Sequence, residues 1–292
     1  MKRIAFLGCE NSHADTFLEI MRKYSEFKDV ETVGVYSDDT QAAKKLSEKY
    51  GVPVLNDYND ALGRVDGVMV TARHGQKHLQ YVREYLKKGV SAFIDKPITI
   101  SEQDALELVS LAKAHGVGLV GGSSCRLDAC VKRFKNEHET DVGGKTLGGL
   151  VRAPIDLHNE YGGFYFYAQH LVEIVEQIYG RKPLSVRTNR NGRTIHVLFG
   201  YADYDITGVF TDRSYQYYLS RFTDSASVSD SFSPGGDNPC FYEEFQEFYN
   251  LLNGKGGVSS WDDFIAPVFV MNAIERTLLS GKEEKIRYTE VE

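Results

Sequence analysis

Ser91-Ala-Phe-Ile-Asp-Lys-Pro-Ile-Thr-Ile-Ser-Glu-Gln-Asp104 sets a short apolar strand against an acid, a lysine and a proline, then opens a helix. Pro97 cannot continue the strand, because it lacks the N–H that a ladder needs. Ser101 followed three residues later by Asp104 has the form of an N-cap and its partner acid, and the helix it starts runs to His115 and stops at Gly116. A strand that ends on Asp95-Lys96 and returns through a helix is one βα unit of a parallel sheet. In such sheets ligands sit outside the carboxyl ends of the strands, so Lys96 is a candidate site residue.

The same rhythm extends on both sides. Lys2 to Leu7, Val33 to Tyr36, Val65 to Val70, Ala92 to Ile94 and Val117 to Val120 read as buried strands. Helical spacing separates them after Ala14, over Asp39 to Tyr50 and over Gln76 to Lys88. Parallel strands need crossover connections, and right-handed crossovers place helices on both faces, so residues 1–121 predict a Rossmann-like α/β domain.

From Gly122 the pattern changes. A basic helical stretch spans Cys130 to Lys135, Leu150 to Ile155 reads as a strand, and Phe166 to Tyr179 as a helix closed by Gly180. Period-2 alternation then covers Leu184 to Arg187, Thr194 to Tyr201, Tyr204 to Phe210 and Tyr215 to Phe222. Ser225 to Pro239 reads as a loop, and helices cover Phe241 to Leu252 and Trp261 to Leu279. Residues 122–292 therefore predict an α+β domain with a large, mainly antiparallel open sheet. Tyr215, Tyr217 and Phe222 on its uncovered face point to a homo-oligomer interface.

The 292 residues carry a net charge of −7 and no dense Lys/Arg block, which argues against nucleic acid or an anionic membrane as partner and makes a small molecule the default. No apolar run is long enough to span a bilayer, and the opening residues enter a strand without a signal-peptide core. A cytoplasmic protein is expected. The four cysteines form no C-x-x-C pair and are expected to be reduced.

With Asp95-Lys96-Pro97 after its strand, and Gly162-Gly163 shortly before His170, the chain from Arg3 to about Arg287 resembles the Gfo/Idh/MocA oxidoreductases. The resemblance implies an NAD- or NADP-dependent dehydrogenase or reductase acting on a hydroxyl or carbonyl of a sugar, inositol or related polyol. It implies that Lys96 holds the substrate hydroxyl and that His170 takes its proton, in a cleft between the domains. The phosphate loop implied is Gly8, Glu10, Asn11, Ser12 and His13, with Ser37, Asp38, Thr71, Arg73 and Asp95 also toward the cofactor. Arg126, Tyr161, Tyr165 and Tyr167 are candidates for the substrate. No arginine follows the second strand to receive a 2′-phosphate, which favours NAD.

Three positions depart from the family pattern. Glu10 stands where the second glycine of G-x-G-x-x-G admits the pyrophosphate, and it would repel phosphates. Thr71-Ala-Arg73-His74 replaces Thr-Pro-Asn, and Arg73 could hold a carboxylate or phosphate. Phe166 occupies the place of the acid four residues before His170, where it would shield the imidazole. These departures keep a second reading open: a family member without cofactor or catalysis that binds carbohydrate or regulates. His74 with His78, and His170 with Glu173, have metal-compatible spacing, but no metal site is expected.

Overall fold

The computed structural model describes residues 1–234 and 239–291. Part of the loop expected over Ser225 to Pro239 lies outside the described residues. The chain divides into two units.

The first unit comprises Met1–Gly122 with Phe241–Trp261. Its elements alternate: β1 (Lys2–Leu7), α1 (Ser12–Lys23), β2 (Val30–Tyr36), α2 (Thr40–Tyr50), β3 (Gly67–Val70), α3 (Gln76–Lys87), β4 (Ser91–Asp95), α4 (Glu102–Ala114) and β5 (Leu119–Gly122). The strands are parallel in the order β2-β1-β3-β4-β5. Connections run one way from β1 and the other way from β3, so the switch point lies at the end of β1, where ligands bind in such sheets. The expected cap forms at Ser101, which accepts the Asp104 N–H, and at α1 the cap is Asn11, which accepts the His13 N–H at 2.6 Å. For α2 the cap is Asp39, which accepts from the Gln41 and Ala42 N–H groups.

The sequence reading assigns the helix after Pro239 to the second domain, but it belongs with the first unit. Phe245 and Phe248 are fully buried among Phe17, Phe27 and Phe93. Gly67 allows this packing, since a Cβ there would meet Leu252 and Phe248. Aromatic burial of this size outweighs chain order in deciding which core a helix joins.

The second unit comprises Ser123–Cys240 and Asp262–Glu290. It contains α5 (Ala129–Glu139), β6 (Thr146–Ile155), α6 (Phe164–Tyr179), β7 (Ser185–Asn191), β8 (Thr194–Gly200), β9 (Asp205–Asp212), β10 (Tyr217–Thr223), β11 (Ser227–Phe232), most of α8 (Trp261–Ser280), which follows α7 (Pro239–Leu252), and β12 (Glu284–Lys285). Seven strands order as β11-β10-β6-β9-β8-β7-β12, antiparallel except for the β6–β9 pair. β11 was not expected: its serines carry no apolar alternation, and pairing with β10 makes it a strand. Tyr217 is buried and stacks on Phe232, so it does not belong to the exposed aromatic face. Tyr215, Tyr218 and Phe222 remain exposed. No helix among the described residues is long and apolar enough to cross a membrane.

One buried group in this unit works against stability. Glu176 on α6 is 2 % exposed, and among the described residues neither carboxyl oxygen has a hydrogen-bond partner. Burial pushes its pKa well above the ordinary carboxyl range, with Arg181, 4.0 Å away, opposing in part. Below about pH 4.5 both folded and unfolded states hold the proton. As pH rises beyond that, the unfolded chain releases it and the folded chain does not, so stability falls. Glu176→Met is therefore expected to raise the melting temperature at pH 8 by roughly 3–6 °C, from a gain on the order of 1–2 kcal/mol, and by less at pH 5. Melting curves at the two pH values check this; a loss at both would show the carboxyl to be paired.

Candidate functional site

In the first unit the loops at the carboxyl ends of β1, β3 and β4 interlock through side chains. Gly8 leaves β1 with φ +83°, a conformation suited to glycine, and a Cβ there would collide with Ala72. Thr71 is buried and its hydroxyl donates to Gly8 O at 2.7 Å, so it braces the loop. Asn11 donates to Thr71 O at 2.7 Å while capping α1. Ser12 is exposed at the first position of that helix. Buried His78 lies between the carbonyls of Ala72 and Ile98 and ties the later loops together.

Glu10 turns sideways along the sheet end. Its Oε2 accepts from Ser37 Oγ at 2.7 Å and its Oε1 from the Arg73 N–H at 2.8 Å. Ser37 is buried and its Oγ also accepts from the Asp39 N–H, so a carboxylate from the β1 loop stands where β2 ends. Asp38 is more exposed, accepts from Tyr36 OH at 2.7 Å and pairs with Lys77 at 3.2 Å. Burial raises its pKa, but these bonds, with one from Tyr81, outweigh it and hold the carboxyl low.

Asp95 ends β4 and is 1 % exposed. Its Oδ2 lies 2.6 Å from His13 Nδ1, and its Oδ1 accepts the Lys96 N–H at 2.6 Å. Burial alone would raise its pKa; the His13 charge and hydrogen bond, with Lys96 beside it, prevail and hold it at about 2. Asp95 is thus ionised at neutral pH and can only accept, which puts a proton on His13 Nδ1 and leaves Nε2 its lone pair in the neutral ring. The His13 ring stands edge-on to Phe241, with centroids 4.8 Å apart. Lys96 is 5 % exposed, so it is not a solvated surface lysine, and the Lys96–Pro97 peptide is cis.

In the second unit His170 is 7 % exposed on α6. Phe166 packs on Tyr161 and Tyr167, and the rings of Tyr167 and Tyr217 lie against His170. The side chain at Nδ1 is Ser123, with Oγ 2.6 Å away. Ser123 is fully buried, and its Oγ already accepts from the Cys125 N–H. The assignment that leaves no buried donor orphaned has the Ser123 hydroxyl donating to His170 Nδ1. Turning that proton elsewhere would orphan a buried donor, at a cost of about 1–3 kcal/mol. Neutral His170 therefore accepts at Nδ1 and carries its proton on Nε2, the reverse of His13.

Glu173, one turn further along α6, accepts the Ser123 N–H at 3.1 and 3.2 Å and a bond from Gln169, and lies 3.7 Å from Arg126. Burial raises its pKa, opposed by Arg126 and Arg181. Arg126 is thereby engaged with Glu173. Tyr165 is buried and donates to Glu275 at 2.8 Å. Tyr161 and Tyr167 are half-buried. Among the described residues no group of three or more His, Cys, Asp or Glu gathers as metal ligands.

A five-stranded parallel sheet with its switch point at β1, joined to a seven-stranded sheet flanked by helices, is the architecture of two-domain dinucleotide oxidoreductases. Residues 2–122 match the oxidoreductase family with an NAD-binding Rossmann fold, and the chain is similar to the Gfo/Idh/MocA oxidoreductases over that part. It is 27 % identical over 155 residues to the uncharacterized oxidoreductase YhhX of Escherichia coli (strain K12), covering 47 % of this chain and 41 % of that protein. It is 28 % identical over 161 residues to inositol 2-dehydrogenase of Burkholderia ambifaria (strain MC40-6), covering 53 % and 44 %. The chain thus matches less than half the length of these curated relatives. The crystal structure of myo-inositol 2-dehydrogenase from Lactobacillus plantarum shares the fold, with a TM-score of 0.85 at 16 % identity over 98 % of this chain and 99 % of that one.

Proposed function

We propose that the protein is an NAD-linked oxidoreductase that interconverts a secondary hydroxyl and a carbonyl on a polyol of the inositol or sugar class. The single observation that carries this reading is Lys96: a buried lysine directly after β4, its backbone N–H held by Asp95, at the carboxyl end of a parallel sheet, where ligands bind in such sheets. The inositol dehydrogenases among its relatives support the substrate class.

The donor set suits a dinucleotide. Gly8 keeps the tight turn, α1 directs its N-terminus along the loop, and Glu10 beside Ser37 offers carboxylate oxygens that match ribose hydroxyls in the place of the usual acid after β2. That carboxylate disfavours a 2′-phosphate and favours NAD. When bound, the dinucleotide supplies the hydride acceptor or donor. Lys96 serves the reacting oxygen as a cation that stabilises alkoxide character. The exposed Tyr215, Tyr218 and Phe222 suit a contact with a second copy of the chain.

NADH mixed with the protein is expected to show quenched or shifted fluorescence, with NADPH at least 10-fold weaker. No change up to millimolar cofactor would sink this reading.

A further inference from the structure

We infer that His13 Nε2, with the ring oriented by Asp95, is the proton acceptor of the reaction. The inference rests on the oxidoreductase reading above and assigns its acid–base residue. A general base needs a lone pair facing the substrate and a partner that fixes the other ring nitrogen. The chain has two candidate imidazoles, and their partners sort them. Ser123 donates to His170 Nδ1, so neutral His170 offers a proton at Nε2. Asp95 accepts from His13 Nδ1, so neutral His13 offers a lone pair there. Among the described residues His13 Nε2 has no hydrogen-bond partner, and the ring keeps 15 % of its side-chain surface exposed.

One carboxylate positions both groups that the chemistry requires. Asp95 Oδ2 holds His13 and Oδ1 holds the backbone of Lys96, so one side chain ties the base to the segment that carries the cation. The titratable groups acting on Asp95 are His13 and Lys96, and His78 feels its charge from α3. In alcohol oxidation the O–H bond breaks and its proton passes to His13 Nε2. A bound dinucleotide would accept the C–H electron pair as hydride, and the electron pair left on oxygen would close the carbonyl. Reduction runs the same steps backward from the imidazolium.

The test has two arms. In two-bond 15N–1H spectra of the labelled protein, recorded above the histidine titrations, the resonances lost in His13→Gln are expected to report Nδ1–H, and those lost in His170→Gln to report Nε2–H. An Nε2–H form for His13 overturns the inference without any substrate. In the second arm, myo-inositol oxidation with NAD is followed against pH. His13→Gln is expected to lower kcat at least 100-fold and remove its acid limb, with NADH affinity within 3-fold of the parent. Asp95→Asn, whose amide can donate to Nδ1 and so release the tautomer that the carboxylate fixes, is expected to lower kcat as well. The limb persisting in His13→Gln and vanishing in His170→Gln overturns the inference, as does a loss confined to NADH affinity. Failure to bind NADH, with the His13 tautomer as stated, rejects the oxidoreductase reading and leaves the oriented base standing.

Discussion

Lys96→Met is expected to lower turnover by about 10²–10³-fold while leaving NADH affinity within a few-fold of the parent. Methionine keeps the length and apolar stem of lysine and removes only the charge, so the rest of β4 keeps its packing. The Lys96 N–H remains to bond Asp95 Oδ1, which preserves the Asp95–His13 contact. A residue that binds substrate in the ground state alone would raise KM and leave kcat. A cation that stabilises alkoxide character acts on the transition state, and its loss appears in kcat. The measurement is kcat and KM for myo-inositol with NAD, beside an NADH titration. An unchanged rate would make Lys96 a packing residue, its buried stem held by the sheet end.

The alternation of strands and helices in the first unit was legible because each buried parallel strand is an apolar run bounded by a capped helix, a local pattern. Lys96 was legible for the same reason, since Pro97 marks the strand end in the sequence itself. The pairs that tune the chemistry were not. His13 and Asp95 are 82 positions apart and Ser123 and His170 are 47 apart, and no periodicity links them. His13 stood in the phosphate loop as a missing glycine, and only the pairing of β1, β3 and β4 brings that loop to the end of β4. Ser123 carried no signal at all: a serine after Gly121-Gly122 reads as turn chemistry until α6 packs against it. The acid expected at Phe166 has a partial substitute in Ser123, but a hydroxyl donates where a carboxylate accepts, and that exchange reverses the histidine tautomer. Helix α7 was misplaced because chain order is a weak guide to which of two cores an aromatic helix joins.

Gly121 gives the largest expected effect on folding. Its φ of +132° is one that side-chain-bearing residues rarely adopt, and a Cβ would overlap the carbonyl oxygen of Ile94. Those two residues are register partners in β4–β5, followed immediately by Asp95 and Gly122. The clash is with the backbone of the interior strand β4, so no side chain can swing aside to relieve it. Gly121→Ala is therefore expected to cost more than about 4 kcal/mol and to give protein that is insoluble or unfolded by circular dichroism. Gly116→Ala makes the matched control. It has φ +63° but open space where the Cβ would stand, so strain alone acts and the loss should be about 1–2 kcal/mol. If Gly121→Ala folds with the stability of Gly116→Ala, the close approach of β5 to β4 is wrong. With it would go the ladder that sets the end of β4, and therefore the placement of Asp95 and Lys96.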